Sequence, residues 1–212
     1  MKKNHWYTIR GQSLATFASK AGFQLALYDN YSESVQKELK RRAIEEALAE
    51  IYNASEEQGF YLSDVRKGVY VISLSNPLSI RYRKKRSQVI YIGLGNLSIR
   101  LKSHFNRSLF NFMQSLSGAD FDFHVACPAK PGAASYYKHV EYCMLEYFAD
   151  KYGGVDGRGK FPILNKNAGA NKGYSEDDGW WQTPLKGNGR IPKWELNPTR
   201  HSDFAPLDTN RE

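Results

Sequence analysis

The stretch from Lys67 to Phe105, KGVYVISLSNPLSIRYRKKRSQVIYIGLGNLSIRLKSHF, decides the fold. It contains two short apolar runs, GVYVISL at 68–74 and QVIYIG at 88–93, both rich in Val, Ile and Tyr and bounded by turn residues. Such residues suit a pleated, half-buried surface, so the two runs predict the strands of one hairpin. The segment between them holds Asn76-Pro77 and then Arg81, Arg83, Lys84, Lys85 and Arg86. That is too long and too basic for a simple tight turn. After the second run, Asn96 to Phe105 predicts a helix with Leu97, Leu101, His104 and Phe105 on one face.

Outward from this hairpin, a second short helix is predicted over Ser108–Leu116. DFDFHVA, from Asp120 to Ala126, alternates Phe121, Phe123 and Val125 with polar neighbours, as a half-buried strand does. Pro128 and Pro131 break the chain, and Ser135 to about Tyr152 predicts a helix. Upstream, Ser32–Ser55 reads as a helix with Ser32 or Ser34 as N-cap and Val35, Leu39, Ala43, Ala47 and Ile51 near helical spacing. Its KELKRR segment is either a solvated face or one turned to phosphates. Residues 1–30 show no usable period. Past Gly153 the composition turns to Gly, Asn, Pro, Trp and Lys, and Trp180, Trp181 and Trp194 imply that parts of this tail pack on something. The expected architecture is α+β: a small three-stranded antiparallel sheet flanked by helices over 66–168. A helical N-terminal extension (1–65), for DNA or partner contact, and an irregular C-terminal one (169–212) flank it.

The 212 residues carry 30 Lys and Arg against 22 Asp and Glu, a formal charge of +8 that favours a polyanionic partner. No run of about 18 apolar residues could span a bilayer. The polar tract after Lys2 and Lys3 lacks a secretory apolar core, so a cytoplasmic protein without membrane contact is expected. Cys127 and Cys143 have no further Cys or His at metal-ligand spacing and are expected to be two buried thiols.

Three groups of residues have chemical potential. In the helix from 135, Tyr137, Val140, Met144, Leu145 and Phe148 form one apolar stripe, and Glu141 lies within it. At about 100° per residue, Glu146 falls about 140° away. A carboxylate directed into an apolar face needs a cation, a metal or a hydrogen-bond partner. Arg100 and His104, four apart, project from one helical face: a planar fork suited to phosphate and a group that titrates near neutrality. Tyr70 and Tyr91 can share one face of the hairpin if the register permits.

In combination these residues resemble the GIY-YIG nuclease superfamily. GVY at 68–70 and YIG at 91–93 stand for its two tripeptides. Arg100 and His104 in SIRLKSH have the Arg-x-x-x-His spacing of part of the family, including some restriction enzymes. Glu141 in EYCMLEYF and Asn165 in FPILNKNAG resemble its acidic residue and its closing asparagine. Glu146 is the rival for the acid and Asn167 for the asparagine. The resemblance implies a DNA endonuclease that hydrolyses phosphodiester bonds. Glu141 would hold one Mg²⁺ or Mn²⁺, Arg100 would grip the phosphate, Tyr70 or Tyr91 would activate water, His104 would assist and Asn165 would brace. Under that reading Arg81, Arg83, Lys84, Lys85, Arg86 and Lys102 contact the DNA backbone. A restriction-type or phage-defence enzyme is the leading expectation. Structure-selective repair, recombination or homing nucleases and a catalytically silent DNA-binding protein are the alternatives. A palindromic target would call for a homodimer or two binding events.

Overall fold

The computed structural model describes residues 1–155, 159–166, 169–170, 172–174, 178–186 and 192–198. Among these, the chain is α+β, built on a four-stranded antiparallel sheet with a small mixed three-stranded sheet beside it. The strands of the main sheet are β1 (Trp6–Ser13), β2 (Gly68–Leu74), β5 (Val89–Gly95) and β6 (Asp120–Ala126), in the order β1-β6-β2-β5. All seven residues of β2 are buried, as expected of a central strand covered on both faces.

The expectation of three strands was one short. β1 pairs with β6 from Trp6↔Ala126 to Ser13↔Asp120, with a register shift between Ile9 and Gln12. Only Ile9 and Gln12 of its eight residues are buried, so no apolar alternation marks it in the sequence. Tertiary pairing makes this strand, not local pattern.

α1 (Leu14–Lys20) and α2 (Glu33–Glu57) follow β1. Ser32 precedes α2 in extended conformation, and Ala43, Ile44, Ala47, Leu48 and Ile51 form its buried stripe. In its KELKRR segment, Arg41 pairs with Glu38 and Glu45, and Arg42 pairs with Glu38, all on the exposed side. This is the solvated face. No helix among the described residues is long and apolar enough to cross a membrane.

The basic insert between the tyrosine strands is a hairpin of its own. β3 (Leu78–Arg81) pairs with β4 (Arg86–Ser87), and β7 (Trp194–Leu196) adds parallel to β3. Tyr82 anchors the insert: fully buried, it donates to Val89 O (2.6 Å) and packs edge-on against Phe148 (4.9 Å).

Past β5, α3 (Leu97–His104) continues without a break through a π turn (Phe105–Leu109) into α4 (Phe110–Ser115). Phe105 and Phe112 pack on Phe123 and Phe121, closing one face of the sheet. α5 (Tyr136–Lys151) lies along β5 and β2, with Val140, Met144, Leu145 and Phe148 buried. In the tail, a 3₁₀ turn (Trp180–Leu185) buries Trp181 and sets Trp180 against Trp6 at 5.9 Å. Trp194, expected to pack, is 66% exposed. Cys127 and Cys143 form no disulfide and are half-buried, where buried thiols were expected.

Candidate active site

The hairpin register sets the site. Tyr70 pairs with Gly93 and Ile72 with Tyr91, so both tyrosines stand on the same face of the sheet. Their rings stack at 5.7 Å with 27° between planes. Beneath them is Gly93: a Cβ there would lie 2.5 Å from Tyr91 Cε1 and 2.7 Å from Tyr70 Oη. Any side chain at 93 would push the phenols apart. This gives the glycine of the YIG tripeptide a steric reason.

α3 brings the second pair. Asn96 caps it, its Oδ1 accepting from Ile99 N (3.2 Å), and the Leu97 N–H donates to Val65 O (3.0 Å). Four residues apart on this short helix, Arg100 and His104 reach the tyrosines. The Tyr70 hydroxyl lies 2.5 Å from His104 Nε2, and the His104 ring sits 4.1 Å from that of Tyr91. Gly95 has φ +122°, a backbone conformation that side-chain-bearing residues rarely adopt, and the Arg100 side chain lies close beside it. Arg100 Nε is buried and has no partner.

Glu141, on α5, completes the cluster. Its charge acts on Tyr91, and Arg100 acts on it in turn. It is half-buried and makes no hydrogen bond or ion pair with the described residues. Gly169 crosses α5 close by: a Cβ on it would lie 2.8 Å from Tyr142 Cα and 3.1 Å from Glu141 Oε2. Glu146 instead forms a half-exposed ion pair with Lys160 (3.0 Å).

Burial dominates the protonation of this cluster. It pushes the Glu141 carboxyl up to about 7, against the pull of Arg100. Burial, then Arg100 and Arg107, brings His104 down to about 4. Burial also raises both phenols, most strongly Tyr70, with Arg100 opposing. At neutral pH the imidazole is therefore uncharged and both tyrosines keep their protons. Arg100 is the one permanent charge within the cluster.

Asn165 acts from behind. Its Oδ1 accepts from Ile92 N (2.9 Å) and its Nδ2 donates to Ile92 O (2.7 Å), and the Leu164 N–H donates to Ile90 O (3.0 Å). The segment 164–165 thus occupies the outer edge of β5 on either side of Tyr91. Asn167 lies outside the described residues.

The basic insert is divided in its contacts. Arg81 pairs with Glu195 (3.7 Å), and Lys84 Nζ donates to Asp150 O (2.5 Å) at the C-terminal end of α5. The Arg83 and Lys84 N–H groups donate to Gly154 O and Tyr152 O (2.8 and 2.9 Å). Lys85, Arg86 and, on α3, Lys102 are exposed and free of ion pairs with described residues. From Glu141 to Asp150 α5 rises by roughly 13 Å, so the insert and the tyrosine cluster flank opposite ends of one helix.

The chain matches no family model, no curated protein and no solved structure. The functional reading therefore rests on the site itself.

Proposed function

We propose that the protein is a divalent-metal-dependent DNA endonuclease of the GIY-YIG type, acting in restriction or phage defence. The observation that carries this reading is the convergence of Tyr70, Tyr91, Arg100, His104 and Glu141 from β2, β5, α3 and α5, with Arg100 Nε and Glu141 unpaired among the described residues. Phosphodiester hydrolysis needs a positioned water, charge neutralisation at phosphorus and assistance to the departing oxygen.

An unpaired, half-buried carboxylate beside a phosphate-binding arginine suits a hard divalent cation that keeps most of its waters. No group of three metal-ligating side chains occurs among the described residues, so Glu141 is the protein ligand of this reading. When bound, Mg²⁺ or Mn²⁺ supplies charge neutralisation at the scissile phosphate and acidifies water.

The remaining roles belong to the chain. Arg100, whose guanidinium also hydrogen-bonds Tyr70 and Tyr91, has its Nε–H left to donate to non-bridging oxygens. With the Nδ1-protonated tautomer of His104, the Tyr70 hydroxyl donates to His104 Nε2, and its oxygen, held beside Arg100, exchanges that contact for the attacking water as the phosphate draws Arg100 onto itself. A water proton can then pass to Tyr70 as Tyr70 gives its own to His104. The incoming negative phosphate raises the basicity of His104 and favours that transfer. Tyr91 positions water or phosphate on the more open side. Asn165 holds the Tyr91–Gly93 backbone and takes no proton.

The test is cleavage of supercoiled plasmid and long linear DNA with Mg²⁺ or EDTA, comparing wild type, Glu141→Gln and Glu146→Gln. Discrete fragments lost with EDTA and with Glu141→Gln, and kept with Glu146→Gln, are expected. Equal cutting by Glu141→Gln, or cutting in EDTA, would overturn the assignment.

A further inference from the structure

The reverse face of the main sheet carries a second polar cluster that phosphodiester cleavage does not use. Tyr70 pairs with Val125, and the next pair along, Val71 and His124, faces the other way, as do Ser73 and Asp122. Thr8 of β1, opposite His124, joins them. Thr8, Ser73, Asp122 and His124 line a cleft of about 620 Å³, together with Trp6, Pro184 and Leu185. That volume is within the usual range of small-molecule sites.

The floor has fixed hydrogen-bond polarity. His124 Nδ1 is 2.9 Å from Thr8 Oγ1 and Nε2 is 3.0 Å from Ser73 Oγ. Burial brings His124 down to about 4, so the ring is neutral and uses one nitrogen as donor and the other as acceptor. One hydroxyl thus gives its proton to the ring and keeps lone pairs, while the other receives and keeps a proton to donate. Side by side, they offer a ligand one acceptor and one donor. Asp122 Oδ1 accepts from Gly11 N (3.0 Å) and Ser75 Oγ (2.6 Å), which fixes the carboxylate on the same floor. The buried indole N–H of Trp6 has no acceptor among the described residues.

The rim sets the charge of the ligand. Arg10, Arg86 and Lys186 line the cleft and form no ion pair with described residues. Against the single carboxylate of Asp122, these three cations leave two positive charges among the described lining residues. A terminal phosphomonoester carries about −1.5 to −2 at neutral pH, whereas an internal phosphodiester carries only one negative charge.

We propose that this cleft binds a nucleotide with a terminal phosphomonoester, its phosphate at the Arg10, Arg86 and Lys186 rim, its base on Trp6 and its polar edge on the Thr8–His124–Ser73 relay. A flat heterocycle satisfies an indole wall and a paired donor and acceptor together. The nucleotide comes either free or as the 5′-phosphorylated end of a DNA strand. The assignment stands whether or not the tyrosine cluster cleaves DNA.

Calorimetric titration of the full chain with the four deoxynucleoside 5′-monophosphates, the matching deoxynucleosides and inorganic phosphate tests this. At least one monophosphate is expected to bind with a Kd tighter than about 1 mM, and its deoxynucleoside and inorganic phosphate about tenfold or more weaker. Arg10→Gln with Arg86→Gln, both at exposed positions that leave the core untouched, is expected to weaken nucleotide binding about tenfold or more. Glu141→Gln, at the other site, is expected to leave it unchanged. A short oligonucleotide with and without a 5′-phosphate, titrated against the protein holding the bound monophosphate, separates the sources: displacement of the monophosphate by the phosphorylated form alone identifies a strand end, displacement by neither form identifies a free nucleotide, and equal displacement by both would overturn the proposal. No saturable binding, equal binding of nucleoside or inorganic phosphate and nucleotide, or binding lost through Glu141→Gln but kept in the double variant would each overturn the proposal.

Discussion

Asn165 grips Ile92 at both ends of its backbone, accepting from the N–H at 2.9 Å and donating to the carbonyl at 2.7 Å. Ile92 is the residue between Tyr91 and Gly93, so a side chain 73 positions further along the sequence fixes the strand that carries the cluster. Asn165→Asp turns the donor facing the Ile92 carbonyl into an acceptor. It is expected to destabilise the fold by about 2–3 kcal/mol. Cleavage should slow with little change in KM for DNA. Chemical denaturation beside steady-state kinetics checks this, and a loss in KM alone would point to a DNA contact instead.

Gly93→Ala tests the crowding of the two phenols. A methyl group there would meet both rings well inside contact distance. Destabilisation of about 1–3 kcal/mol is expected from the overpacking. A displacement of the reacting groups by about 1 Å can lower a rate about 100-fold, and single-turnover cleavage should fall by that order while DNA binding persists. Wild-type rates in a folded Gly93→Ala protein would separate the tyrosine cluster from the chemistry.

Glu141 should trade stability for function. Its carboxyl titrates near 7 in the folded protein instead of in the ordinary range near 4.5, so between those values the native state holds a proton that the unfolded state has lost. Its contribution to stability is present below pH 4.5 and is lost as pH rises through 7. Glu141→Gln has no such loss. Its thermal midpoint is expected to exceed that of wild type at pH 8, by an order of 1–2 kcal/mol in stability, and to converge with it near pH 4. The same variant should not cleave. Midpoints that stay parallel from pH 4 to pH 8 would contradict the buried carboxyl.

The cations of the hairpin and of α3 should separate by role. Lys85 and Lys102 are exposed and unpaired among the described residues, and Lys85→Ala and Lys102→Ala are each expected to flatten the salt dependence of DNA binding by about 0.9 in logarithmic slope. Lys84 serves the C-terminal end of α5, and Lys84→Ala should lower stability by about 0.5–1 kcal/mol. Binding titrations over a range of salt, with thermal melts, distinguish the two effects.

Pattern carried far into this chain where burial follows sequence period. β2 occupies 68–74 as its Val/Ile/Tyr-rich run implies, β6 occupies 120–126 as its alternation implies, and α2 starts beside Ser32. Spacing also put Arg100 and His104 on one helical face, and the apolar stripe of α5 included Glu141, which lies beside Arg100, whereas Glu146 pairs with Lys160. β1 was hidden because Arg10, Gly11 and Gln12 interrupt its apolar positions and its pairing with β6 lies more than a hundred residues away. The hairpin within the insert was hidden by its charges, since its anchor, Tyr82, is a single buried aromatic among them. The reverse cleft has no motif at all: Thr8, Ser73 and His124 become neighbours only through strand register.

The two margins of the main sheet are both closed to further strands. On β1, the shifted register between Ile9 and Gln12, with exposed Arg10 and Gly11 at φ +69°, breaks the row of backbone groups that a stranger's strand would need. On β5, Leu164 and Asn165 already hold those groups. Intermolecular β-augmentation, the usual first step toward fibrillar aggregation, is therefore hindered along both margins of this sheet. Two copies meeting over a twofold-symmetric DNA site would join elsewhere than along the main sheet.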